Sequence, residues 1–228
     1  MMISRSLLAL ACLCAASAVV ADDRLFLAGA EVSDGAYYGY TGLILPGPHR
    51  ENGRGFVQRY WLDSFGYEYD GATDRIKATA YGAEAALGYG TSSERGWGTV
   101  SLGLRFTNTD LSPDDPAAKA RGSQLGVKFQ LEGERQIADA WRLGGAASYT
   151  SEQDSYWARA RLMHGTPARA LGAEFVANGN NEAHSEAAGF VVSFQPRAGA
   201  WSVGLKAGYR KQSGADGPYG GVELGYAF

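Results

Sequence analysis

Cysteine is nearly absent: the 228-residue chain has two, Cys12 and Cys14, and both lie in its first 21 residues. With that segment set aside, disulfide scaffolds, thiol chemistry and cysteine-ligated metals are excluded together. Proline is scarce at 7 residues, which rules out collagen-like and proline-rich disordered chains. Histidine occurs only at His49, His164 and His184, so imidazole chemistry has few parts to draw on. The longest apolar run, Leu7 to Val20, is too short to cross a bilayer comfortably as a helix. The mean hydropathy of −0.23 excludes a bundle of transmembrane helices. Charge of one sign is missing too: 21 Lys and Arg against 24 Asp and Glu leave −3, which argues against binding nucleic acid through bulk charge. No phosphate loop, dinucleotide fingerprint or zinc-ligand spacing occurs, so no cofactor is expected.

What is abundant is glycine, at 32 residues, and aromatics, at 13 Tyr, 9 Phe and 5 Trp. Arg5, the apolar run and the small residues up to Ala21 have the form of a secretory signal peptide, with cleavage expected after Ala21. The expected organisation is a signal peptide over 1–21 and one domain over 22–228, of 228 − 21 = 207 residues without cysteine. No linker, charge block or shift in composition divides that domain.

Nearly every segment of it alternates apolar with polar or small residues at period two, the mark of strands with one apolar face. Trp201, Val203, Leu205, Ala207 and Tyr209 share one face; Ser202, Gly204, Lys206, Gly208 and Arg210 share the other. Eleven strands are predicted, near 37–45, 55–69, 76–90, 96–110, 121–136, 141–150, 156–164, 169–178, 187–195, 201–210 and 219–228, with 25–33 as a twelfth. Turn-rich pieces separate them, among them Leu111–Ala120, Ser151–Ser155 and Gly179–Glu186.

The apolar face could be the core of a soluble sandwich or the lipid face of a membrane barrel. Strands of about ten residues are long enough to cross a bilayer at a ~45° tilt. Trp97, Trp141, Tyr149, Trp201, Tyr209 and Tyr226 stand at strand ends, as interfacial girdles require. The opposite face carries glycine with isolated charges, which suits a crowded interior, and the chain closes on an aromatic strand ending at Phe228. The expected fold is therefore an all-β, antiparallel outer-membrane β-barrel of about 12 strands, with 10 as the runner-up, in the outer membrane of a Gram-negative bacterium.

On that register the inward charges are Arg59, Arg105, Lys128, Arg142, Arg159, Arg161, Lys206 and Arg210 against Asp63, Glu84, Glu132, Glu174 and Glu223: eight basic, five acidic. They form either an ion-paired plug that stiffens the barrel or a narrow pore favouring anionic or polyhydroxyl ligands. For the pore, the lumen residues expected to bind ligand are Arg59, Trp61, Trp157, Arg159, Arg161 and Glu174. His184, Ser185 and Glu186 place a base, a hydroxyl and a carboxylate side by side on an expected outer loop. Neighbours on a strand point to opposite faces and the serine lacks an elbow-like glycine setting, so a solvated loop is the simpler reading. Asp110, Asp114 and Asp115 lack the glycine and terminal glutamate of a calcium loop, and no metal site is expected.

The segments Glu31-Val32-Ser33-Asp34, Tyr38-Gly39-Tyr40-Thr41-Gly42 and Gly66-Tyr67-Glu68-Tyr69-Asp70 resemble the cellulose biosynthesis protein BcsS family. So do Leu111-Ser112-Pro113-Asp114-Asp115-Pro116 with Arg121-Gly122, Tyr156-Trp157-Ala158-Arg159-Ala160-Arg161, and Gly172-Ala173-Glu174 followed by Asn178. The resemblance runs over roughly residues 28–228 and implies a signal peptide, a β-rich outer-membrane-like domain and an association with bacterial cellulose production. It brings no catalytic residues. The function it implies is a non-enzymatic accessory of cellulose biosynthesis or secretion, with outer-membrane lipids, glucan and cellulose synthase components as partners. The alternatives are an outer-membrane lipid-modifying enzyme using His184 and Ser185, and a porin-like channel for small anionic or sugar solutes.

Overall fold

The structure is a computed structural model that describes residues 24–47, 53–71, 74–166, 168–195, 201–213 and 215–228. The expected signal peptide over 1–21, with Cys12 and Cys14, lies outside the described residues, as does His49. Twelve antiparallel strands close into a barrel: β1 (Leu25–Ser33), β2 (Ala36–Pro46), β3 (Arg54–Asp70), β4 (Arg75–Ser93), β5 (Gly96–Ser112) and β6 (Gly122–Ala138) form one half. The other half is β7 (Trp141–Thr150), β8 (Ser155–Thr166), β9 (Arg169–Gly179), β10 (His184–Phe194), β11 (Trp201–Gln212) and β12 (Gly217–Ala227). Each strand pairs with its sequence neighbours, and β1 closes the ring on β12 from Leu25↔Ala227 to Ser33↔Tyr219. Closure leaves no edge, so every strand's backbone is bonded on both sides. Both described ends of the chain emerge at one end of the barrel, the base; the opposite end is the loop end.

The period-two pattern becomes two faces. Leu102, Leu125 and Phe190 point outward at 59%, 67% and 70% exposure, within an apolar belt that also includes Leu62, Leu87 and Leu171. An exposed apolar surface of this extent is costly in water and is what a membrane-facing wall requires. Trp141, Tyr149, Trp201 and Tyr209 lie on the same outer surface at strand ends. Trp97 is a correction: it shares its face with Thr99 and Ser101 and lines the interior at the base rather than a girdle. The strands β3 to β6 have 17, 19, 17 and 17 residues, whereas β7 to β12 have 10 to 12. At about 3.3 Å per residue, the longer four outrun an apolar band of roughly 25 Å even when tilted, so that wall projects beyond it.

The glycine and aromatic excess are two halves of one packing device. Tyr40 stands over Gly29, Trp61 over Gly42, and Tyr37 over Gly66, each ring covering its direct cross-strand partner. A Cβ on Gly42 would lie 2.1 Å from the Trp61 ring. Charged side chains use the same seats, Asp63 against Gly82 and Lys206 against Gly221. The substitution Gly42→Val is therefore expected to lift Trp61 off the wall and lower stability by about 1–3 kcal/mol, the usual range for overpacking. Urea unfolding in detergent, followed by tryptophan emission, checks this.

Candidate functional site: the lumen

Two ion-pair networks occupy facing walls. On β3 to β6, Arg59 Nε donates to Glu84 at 3.1 Å and its Nη1 to Glu132 at 3.3 Å, while Lys128 Nζ reaches Glu84 at 2.6 Å. Arg105 forms a two-pronged contact with Asp63 at 2.8 and 2.9 Å. On the opposite wall, Arg161 grips Glu223 with two contacts of 2.6 Å and also bonds Glu174. Arg159 reaches Glu223 at 3.2 Å; Lys206 reaches Glu31 at 2.5 Å and Glu223 at 3.3 Å. Arg210 pairs with Glu31. Charges desolvated to this degree persist only when paired and hydrogen-bonded.

All thirteen charges expected to face inward do so. Three more acids join them: Glu31 on β1, Glu134 paired with Arg142 at 3.2 Å, and Glu152. Eight basic groups thus meet eight acidic ones among the described residues, and the expected eight-to-five basic excess disappears. Glu152 is invisible to strand periodicity because it sits in a short 3-10 turn, Glu152–Asp154, and folds back into the barrel. There its Oε1 accepts from Thr107 at 3.3 Å, over Gly126, where a Cβ would collide with it.

The six residues singled out for ligand binding fall into two separate groups. Arg59 and Trp61 stand on β3, with the Arg59 guanidinium 4.1 Å from the Trp61 ring centroid. Trp61 also stacks on Tyr40 at 4.6 Å and donates its Nε1–H to Tyr38 at 3.3 Å, so the ring is heavily engaged by its neighbours. Trp157, Arg159, Arg161 and Glu174 lie across the lumen on β8 and β9, and Arg159 is 5.4 Å from the Trp157 ring. Sequence reasoning missed Tyr38 and Tyr40, which share the lumen face of β2 with Gly42; the alternation of that segment was the available signal. A continuous cavity of about 710 Å³ runs the length of the barrel. Leu25, Ile44 and Trp97 line it at the base, and Asn180, His184 and Ser213 at the loop end.

His184, Ser185 and Glu186 belong to β10 rather than to a loop, a correction to the expected boundary. Ser185 is buried on the lumen side, while Glu186 is exposed on the other face. His184 Nδ1 lies 3.1 Å from the Oγ of Ser213, not of Ser185; His184 N donates to that same Oγ at 3.0 Å and Ser213 N donates to the His184 carbonyl at 3.1 Å, closing the β10–β11 rim. Among the described residues no carboxylate hydrogen-bonds the His184 ring.

Loops lace over the loop end. Asn180 Nδ2 donates to the Tyr67 hydroxyl at 3.0 Å, joining the β9–β10 loop to β3, six strands away in a ring of twelve. Lys119 N donates to Glu182 at 2.7 Å, Asn181 N to Gln153 O at 3.1 Å, and the Tyr69 hydroxyl to Asp115 at 3.1 Å. Asp114 instead pairs with Arg121 at 3.0 Å. The Asp154 carboxyl, on the loop between β7 and β8, is held below its ordinary range by the hydrogen bond it accepts from Tyr149 and by Asn181. Removing the bridging amide with Asn180→Ala is expected to cost about 1 kcal/mol, or roughly fivefold in loop opening. Hydrogen exchange at the Lys119 and Asn181 amides measures that opening.

Known barrels share this architecture. An outer-membrane channel from Pseudomonas putida F1 is similar with a TM-score of 0.61 at 12% identity, over 92% of this chain and 97% of that one. The β domain of the Bordetella autotransporter BrkA gives 0.54 at 10% identity, over 91% and 100%. The KdgM porin, solved in complex with disordered oligogalacturonate, gives 0.51 at 12% identity, over 90% and 99%. At such identities the likeness is one of fold, and it is to barrels of Gram-negative outer membranes. A comparison with curated protein sequences returns no match. The model of the family described as cellulose biosynthesis protein BcsS matches residues 25–228, nearly the whole described barrel, and the chain belongs to that family.

Proposed function

We propose that this protein is a non-enzymatic outer-membrane accessory of bacterial cellulose biosynthesis or secretion, working through its lumen. One observation carries the reading: a continuous cavity in whose walls all eight inward cations are held in ion pairs. Such an interior offers no unpaired cation to an anionic solute and leaves room for an uncharged chain. Family membership supplies the pathway, with cellulose synthase components and glucan as partners and outer-membrane lipid around the apolar belt. In this reading both ends of the barrel strand order face the periplasm and the laced loops face outward.

A porin-like passage for small neutral sugars is the second reading, favoured by the cavity's continuity from base to loop end. The anionic-solute version loses its support with the basic excess. The lipid-modifying reading is weakened because Ser185 faces the lumen and His184 contacts Ser213. Deleting the chain from its own host and assaying surface cellulose by dye binding tests the proposal. Reduced cellulose, restored by the wild-type chain, is expected; undiminished cellulose would overturn it.

A further inference from the structure

The staggered register of the barrel lines up a feature that no single strand reveals. Ladder partner by ladder partner, Gln130 on β6 faces Ser148, Ser148 faces Trp157, Trp157 faces Asn178, Asn178 faces Ser185, and Ser185 faces Gln212 on β11. All six line the cavity, and none carries a charge. The row begins near mid-wall and climbs to the rim at the loop end. Below Gln130 it continues through Ser101 and Gly88 to Val57 near the base, again without a charge.

The rows on either side are charged. One contains Arg59 and Lys128, and the other contains Glu132, Arg159 and Arg210. Each of these five is held in an ion pair. The uncharged row is thus a stripe between two neutralised borders. Within it the Ser185 Oγ is buried at 7% exposure without a hydrogen-bond partner. A buried hydroxyl left unsatisfied costs free energy unless water or a ligand completes it.

We infer that this stripe is a binding track for an uncharged, extended polyhydroxyl chain of the β-glucan class. The inference rests on the proposed role in cellulose production and names the ligand site for it. Amides and hydroxyls donate to and accept from sugar hydroxyls, and the Trp157 indole supplies an apolar surface for ring C–H groups. Neighbouring strands stand about 4.8 Å apart, so the six residues present one group per strand over about 24 Å. That interval is close to the spacing of successive rings in an extended β-linked chain. Small side chains at Ala146 and Thr150 flank Ser148 on the β7 wall beside the track.

The detergent-solubilised full chain is titrated with cellohexaose by calorimetry and tryptophan emission, with an oligogalacturonate of equal length in parallel. Saturable cellohexaose binding is expected, at least tenfold tighter than the acidic oligomer. Asn178→Asp and Gln212→Glu, which charge the track in the middle and at its rim, should each weaken it at least fivefold. Trp157→Phe should remove the emission change while calorimetric binding persists in weakened form. Folding of each variant is checked by heat-dependent migration on gels, which matters at Gln212 because its Nε2 also donates to the Asp34 carbonyl. Absent cellohexaose binding, equal binding of the acidic oligomer, or full binding by both charged variants would overturn the track. A deletion strain with normal cellulose would instead overturn the pathway while leaving the binding data in place.

Discussion

Replacing Glu223 with Ala lowers the unfolding free energy of the barrel by roughly 3–5 kcal/mol, the cost of removing one partner from a buried ion pair. Glu223 is 2% exposed and holds Arg161 at 2.6 Å, Arg159 at 3.2 Å and Lys206 at 3.3 Å. Its loss strands those cations on one wall, with only Glu174 and Glu31 left to share. Glu132, whose side chain is 17% exposed and holds Arg59, should cost distinctly less when replaced in the same way. Adding Arg161→Met to the Glu223→Ala chain should recover part of the loss, since it removes one uncompensated charge. Urea titrations in detergent measure all four chains. Equal effects at Glu223 and Glu132 would count against a desolvated network.

The second large effect concerns the outer surface. Phe190→Arg places a cation midway along β10, at a position 70% exposed. On a surface in water such a change stays within about 0.5 kcal/mol. On a lipid face it costs about 2–4 kcal/mol at the midplane and about 0–1 near an interface. Phe194→Arg, at the base end of the same strand, is the matched control. Refolding into lipid vesicles should therefore separate the two variants by at least tenfold in equilibrium constant. Similar behaviour of both would show that water, not lipid, meets this wall.

The parts of this fold legible in the sequence were those set by period two. Alternation in segments such as 201–210 assigns each side chain to a face, and the thirteen inward charges it assigned are inward. It is silent on which strand sits opposite which. Arg161 and Glu223 are 62 positions apart and meet only because closure and stagger bring β8 and β12 toward one another across the lumen. Glu152 escaped because turn residues have no face to alternate. The glycines were legible as an excess but not as seats, since the pairing of Gly42 with Trp61 exists only once β2 and β3 are in register. Polar His184-Ser185-Glu186 reads as loop, so alternation starts β10 three residues late, whereas the backbone of this segment pairs with both neighbours. The neutral track is a property of register alone. Its members come from six strands and share nothing in sequence but the lack of charge.

The most direct measurement is surface cellulose in a host whose only copy of the chain is Ser148→Trp. Ser148 lines the cavity on β7, and an indole there is expected to narrow the passage. Gel migration establishes that the variant folds and reaches the outer membrane. Dye binding at the level of the deletion strain, with the wild-type chain restoring cellulose in parallel, is the expected result. Cellulose restored fully by a folded barrel with a narrowed lumen would contradict the proposed role of the passage.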